Sequence, residues 1–149
     1  MNGWLLDTNV VSELGRATPA RNVVAWARAV PEGRLFISVL TLAEYEKGIA
    51  HLDPASPAVL RYEAALAALA ARFRGRVLPV SDAIVHRWGH ISGAVKRLTR
   101  QSPPVIDTLL AATAIEHQLV LVTRNIRGVE HAGATLLDPW EAAAQHQVR

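Results

Sequence analysis

The chain has 149 residues, half of them hydrophobic and 19% charged, a length and balance that read as one globular domain over residues 1–149 and argue against disorder. It contains no cysteine, which excludes a disulfide framework and any thiolate metal site. Lysine and arginine total 16 against 13 acids, a formal net charge of +3, basic enough to suit a nucleic-acid partner without demanding one.

Residues 3–6 form the first short apolar run, and a helical stretch follows at 10–14. Thr18-Pro19 joins a side-chain acceptor to a residue whose φ is preset for a first turn, the pattern of a capped helix over 19–29. A second apolar run at 34–37 leads to a helix at 41–51, and Ser56-Pro57 opens another at 57–72. Within it, the alanines of 64–71 are punctuated by Leu66 and Leu69, which predicts a tightly packed helix rather than a linker. A third run at 76–80 precedes a helix at 82–98. Ser102-Pro103-Pro104 starts a helix over 104–117, and the fourth run covers 119–122. Leu136 and Leu137 supply a short edge strand, and Asp138-Pro139 caps a final helix over 139–144.

The apolar runs do not alternate, which suits a parallel sheet covered on both faces. Strands alternating with helices predict an α/β/α sandwich around a central, mainly parallel twisted sheet of four to five strands. No apolar stretch is long enough to span a bilayer, and the opening Met1-Asn2-Gly3-Trp4 carries no basic export signal. The expected home is therefore the cytoplasm, with no membrane partner.

Three acids stand where this architecture places ligands. Asp7 ends the first strand, at the carboxyl edge where open α/β sheets bind ligands, with the polar Thr8 and Asn9 beside it. A purely structural reading makes Asp7 or Asn9 the cap of the next helix. Glu44 lies just past the second strand, and Thr41 with Glu44 fits a capping box, a strong structural alternative. Glu46 and Lys47 on the same helix read as a solvated face. Asp107 falls in the first turn of a helix, where the dipole favours an acid. The almost wholly apolar stretch after it predicts a buried helix, and a buried carboxylate needs a partner or a metal. At the end of the fourth strand, Thr123-Arg124-Asn125 adds polar groups and a cation able to hold phosphate.

His86 and His90 have zinc-ligand spacing, but Arg87-Trp88-Gly89 between them lacks the glutamate of an H-E-x-x-H site, and no third ligand is evident. There is no nucleophile elbow, phosphate-binding glycine loop or dinucleotide fingerprint. A haloacid-dehalogenase-type phosphatase also opens with a strand-end Asp, yet it needs a second Asp where Asn9 stands.

The segments Leu5-Leu6-Asp7-Thr8-Asn9-Val10-Val11-Ser12 and Ile37-Ser38-Val39-Leu40-Thr41-Leu42-Ala43-Glu44, with Lys47-Gly48-Ile49, resemble the first two motifs of PIN domains. Ile106-Asp107-Thr108-Leu109-Leu110-Ala111-Ala112-Thr113-Ala114 and Leu121-Val122-Thr123-Arg124-Asn125 resemble the third and fourth. Asp138-Pro139-Trp140 is similar to the Asn-Pro-Trp ending of the toxin branch. The resemblance runs from Leu5 to Trp140, and within PIN domains it is strongest to VapC-type toxins, including the FitB-like group.

The resemblance implies a PIN-like fold and a Mg²⁺- or Mn²⁺-dependent endoribonuclease that is held inactive by a cognate antitoxin and works as a homodimer. It carries Asp7, Glu44 and Asp107 over as catalytic, metal-holding acids. From their positions beside these acids, Thr8, Asn9 and Thr123 are expected as polar supports, and Arg124 and Arg127 as the cations that grip the RNA backbone. The expected reaction is in-line attack on a phosphodiester by a metal-activated water, leaving a 5′-phosphate and a 3′-hydroxyl. One departure stands out: many members carry another Asp shortly after the fourth motif, and Gly128 occupies that place. Glu130 is out of register, so Asn125 is the expected substitute ligand. The departure also motivates an alternative, a catalytically weak or inactive module that binds RNA or a protein partner.

Overall fold

A computed structural model describes residues 2–141. Five strands form one sheet: β1 (Trp4–Leu6), β2 (Leu35–Ser38), β3 (Val77–Leu78), β4 (Val120–Val122) and β5 (Leu136–Leu137). Their order is β3-β2-β1-β4-β5, and every pairing is parallel. The helices are α1 (Thr8–Leu14), α2 (Arg21–Ala29), α3 (Val39–His51), α4 (Ala58–Arg72), α5 (Asp82–Thr99), α6 (Val105–Glu116) and α7 (Ile126–Val129).

Side chains alternate across the pleat, so each strand feeds two cores. Trp4, Leu6, Leu35, Ile37 and Val122 point to one face, where they pack with Val10 of α1, Val23 and Trp26 of α2, and Leu69 of α4. Leu5 and Leu121 point to the other, against Leu110, Ala111 and Ala114 of α6. The expected α/β/α sandwich is what forms. It needs the short apolar strands to be buried on both sides, and burying one leucine or valine side chain contributes about 1.5–3 kcal/mol.

Several local expectations are corrected. The proposed capping box at Thr41 and Glu44 does not form: α3 begins at Val39, and Ser38 caps it by accepting the Leu40 N–H at 3.0 Å. Strand β2 thus runs into α3 without a loop, and Thr41 and Glu44 are left free to face β1. Helix α2 starts at Arg21 with no cap from Thr18; the Glu13 carboxylate of α1 instead accepts the Ala20 N–H at 3.0 Å.

The expected packing of 64–71 is looser than read, because only Leu69 of α4 is buried while Leu60 and Tyr62 are exposed. The final helix expected over 139–144 is absent at 139–141, where Asp138 caps a turn through the Trp140 N–H at 2.9 Å; residues 142–144 lie outside the described residues. Among the described residues, no helix is long and apolar enough to cross a membrane.

Candidate active site

Strand β1 sits centrally in the sheet, and Asp7 follows directly on its carboxyl end. The Asp7 N–H still donates to Val122 O at 2.9 Å, which continues the β1–β4 pairing one residue past the strand. The chain then turns at once into α1. One Asp7 oxygen, Oδ1, accepts the Thr8 N–H at 2.6 Å and caps that helix, so the structural reading of Asp7 holds. It does not exhaust the residue. Oδ2 accepts the Thr123 hydroxyl at 2.7 Å and the Asn9 amide at 3.3 Å. Asp7 is 7% exposed, enough to face the cleft and too little to be well solvated.

Glu44 reaches from α3 to the start of α1, where its Oε1 accepts the Thr8 hydroxyl at 3.1 Å. Thr8 Oγ1 also lies 3.0 Å from the Oγ1 of fully buried Thr41. A hydroxyl has one proton to give, so the arrangement that satisfies both is Thr41 donating to Thr8 and Thr8 to Glu44. Thr41, read from sequence as a cap, is instead the buried anchor of the Glu44 support. Sequence carried no signal for that role, which depends on a contact with a residue 33 positions away.

Asp107 occupies the first turn of α6, at the half-buried end of a helix whose middle, Leu110 to Ala114, is buried. Its Oδ2 accepts the Asn125 side-chain amide at 2.8 Å, and the Asn125 N–H donates to Thr123 Oγ1 at 3.0 Å. Thr123 therefore joins Asp7 to the Asn125–Asp107 pair. Hydroxyls and amides tie acids from three separate elements into one network.

The electrostatics are those of crowded like charges. Burial pushes the Asp7 carboxyl above its ordinary range; the Thr123 hydrogen bond opposes this, and the Asp107 charge adds to it. Burial also raises Glu44, against the Thr8 hydrogen bond and with the help of the charges on Asp7 and Asp107. Among the described residues, none of the three takes part in an ion pair. The charge on Lys47 lowers Glu44 in part without forming an ion pair with it, and the donors of the cluster are hard oxygens, which suit Mg²⁺ or Mn²⁺ better than zinc.

No group of three His, Cys, Asp or Glu among the described residues is drawn together tightly enough to hold an ion by itself. His86 and His90 are exposed on α5 and belong to no metal-binding group.

Gly128 explains the position of Asn125. A Cβ on residue 128 would stand 2.5 Å from Asn125 Nδ2 and 3.0 Å from Asp107 Oδ2. The direction in which a side chain would leave residue 128 thus points straight at Asp107, and the Asn125 amide fills that space. Glu130 is exposed and pairs with His131 at 3.4 Å. Arg124 and Arg127 are both exposed near the strand tips. The Arg124 N–H donates to Asn9 Oδ1 at 3.3 Å, and its guanidinium lies 5.0 Å from the centroid of the Trp140 ring. Trp140 is held in turn by Asn22, which donates to its carbonyl at 2.8 Å.

A family model described as PIN domain matches residues 4–133. The chain is 32% identical over 142 residues to VapC ribonuclease Y4jK of Sinorhizobium fredii, covering 93% of this chain and 99% of that protein. It is 30% identical over 136 residues to toxin FitB of Neisseria gonorrhoeae, covering 91% and 97%. The crystal structure of FitAcB from Neisseria gonorrhoeae superposes with a TM-score of 0.81 at 29% identity, over 93% of this chain and 99% of that one.

Proposed function

The chain belongs to the PIN domain family, and from that premise we propose that it is the toxin of a toxin–antitoxin pair, a single-domain endoribonuclease that depends on Mg²⁺ or Mn²⁺. The observation that carries the reading is the network joining Asp7, Glu44 and Asp107 at the strand tips, rich in negative charge and without an ion pair of its own.

Asp7 and Asp107 would hold the cation, with Glu44 and the Asn125 carbonyl oxygen as further oxygen donors. When bound, the cation supplies neutralising charge at the phosphate and lowers the pKa of a water. The rest is the work of this chain. Glu44 accepts the proton of the attacking water at a carboxylate oxygen, and Thr8 holds that carboxylate in place. Thr123 and Asn9 fix Asp7, and Asn125 fixes Asp107. Arg124 and Arg127 bind the RNA phosphates on either side, a contact that suits the planar guanidinium. In-line hydrolysis then leaves a 5′-phosphate and a 3′-hydroxyl.

The likeness to a protein named a toxin supports a cognate antitoxin as partner. We place the protein in the cytoplasm, where its RNA is. Exposed Leu60 and Tyr62 on α4 support an apolar contact between two copies in a homodimer. The test is incubation of purified protein with a mixed RNA pool in Mg²⁺, in Mn²⁺ and in EDTA, beside an Asp7→Ala, Asp107→Ala variant. Cleavage by the wild type alone, and only with metal, is expected. No cleavage under any metal would favour the non-catalytic binding module.

A further inference from the structure

Next to the candidate active site, a second concavity of about 240 Å³ opens between the C-terminal end of α5, the loop before α6, and α7 with the residues after it. It is smaller than the roughly 300–1,000 Å³ of sites for drug-sized ligands, and suits one flat group rather than a whole cofactor. Its wall includes Gly128, the residue whose missing side chain would reach toward Asp107 Oδ2. The cleft and the carboxylate cluster are therefore neighbours, with the Asn125 amide, rather than a side chain at 128, between them.

The chemistry of the lining is selective. His131 offers a planar ring of the kind on which splayed RNA bases stack, and Arg127 beside it stays with the phosphate. Gln101 and Ser102 can donate or accept hydrogen bonds, while Glu130, when ionised, only accepts. Glu130 Oε1 lies 3.4 Å from His131 Nε2, so acceptor and planar ring share one wall. Sequence-specific recognition of RNA targets unpaired bases, which are stacked on flat side chains and read along their hydrogen-bonding edges.

We propose that this cleft is a nucleobase subsite: it receives the base next to the phosphate that is cut, and Glu130 selects a base whose edge donates N–H groups. Guanine, which presents two neighbouring N–H donors on its Watson–Crick edge, fits that acceptor best, whereas uracil offers a single one. The proposal rests on the ribonuclease reading and adds to it the source of sequence preference.

The experiment has two arms. In the first, wild type, Glu130→Gln and His131→Ala are given the mixed RNA pool with Mg²⁺, and the cut positions are sequenced. In the second, hexanucleotides differing only at the base beside the cut are titrated in EDTA against each variant in an Asp7→Asn background, which reads binding without cleavage.

The expected result is a wild-type preference for one base at that position. Glu130→Gln should shift it by on the order of 10-fold, and the binding arm should repeat the shift. Cleavage that persists with the same preference in both variants overturns the subsite and leaves the ribonuclease standing. Absence of both metal-dependent cleavage and RNA binding overturns the ribonuclease reading and the subsite with it. Hexanucleotide binding that does not depend on the base beside the cut, in wild type and Glu130→Gln alike, also overturns the subsite.

Discussion

Replacing Gly128 with alanine adds one methyl group, and the structure specifies where it goes. The new Cβ would stand 2.5 Å from Asn125 Nδ2 and 3.0 Å from Asp107 Oδ2, closer than real Cβ atoms come to the first of these. The Asn125 amide must move, and its 2.8 Å hydrogen bond to Asp107 is lost or lengthened. The bond is exposed, so water takes the place of the lost donor to the Asp107 carboxylate and the cost stays at about 0.5–1.5 kcal/mol. Alanine in place of glycine in a helix returns about 0.5–1 kcal/mol through backbone entropy. The two nearly cancel, so the thermal midpoint should shift by no more than about 3 °C.

Activity has no such compensation. Asp107 loses the contact that orients it, and a misplacement of about 1 Å at a reacting centre can cost on the order of 100-fold. Gly128→Ala should therefore cut about 10- to 100-fold more slowly at nearly unchanged stability, measured by metal-dependent cleavage rates beside thermal melts. Cleavage within twofold of wild type, with a native midpoint, would refute the role given to the Asn125–Asp107 contact.

Asp107→Asn should abolish cleavage and keep the fold. In EDTA its midpoint should exceed that of wild type, because one of the like charges raising Asp7 and Glu44 is gone; the stabilisation that Mg²⁺ gives the wild type should vanish, as calorimetry with and without metal can check. Thr8→Val removes the hydrogen bond that lowers the Glu44 pKa, so the acidic limb of the kcat/KM profile should move to higher pH, and a limb that stays in place would remove Glu44 as the base. Glu32 is held below the usual carboxylate range first by the Arg72 hydrogen bond, at 2.8 Å, and further by Arg76. A depressed folded pKa stabilises above the unfolded value and is lost as pH falls through the folded one. The pair is half exposed, so Glu32→Gln should cost less than about 1 kcal/mol at neutral pH, with the difference from wild type fading on acidification in denaturant melts.

The strands were legible because burial on both faces demands uninterrupted apolar runs, and Trp4–Leu6 and Val120–Val122 fall on the runs at 3–6 and 119–122. Asp7 and Asp107 could be placed from sequence because one follows a strand and the other falls in the first turn of a helix, whereas Glu44 lies inside α3 and shows its place only through its contact with Thr8. What sequence missed depends on contacts between distant residues. The cap of α2 comes from Glu13 on another helix, the anchor of Glu44 comes from Thr41 through Thr8, and the Trp140 ring lies beside Arg124. At α3, Ser38 and Thr41 are both competent caps by residue type, and only the strand-to-helix turn at Ser38 decides between them. Helix α7 spans four residues, too few to show a helical period. The position of Gly128 was visible, but the amide that fills the space before it was not.

The most direct measurement is the chemistry of the cut ends. Products made by wild type, and not by Asp107→Asn, are to be mapped for their termini in Mg²⁺, Mn²⁺ and EDTA. The account predicts 5′-phosphate and 3′-hydroxyl ends, formed only with a divalent cation. Ends bearing a 2′,3′-cyclic phosphate, or cleavage that persists in EDTA, would contradict it.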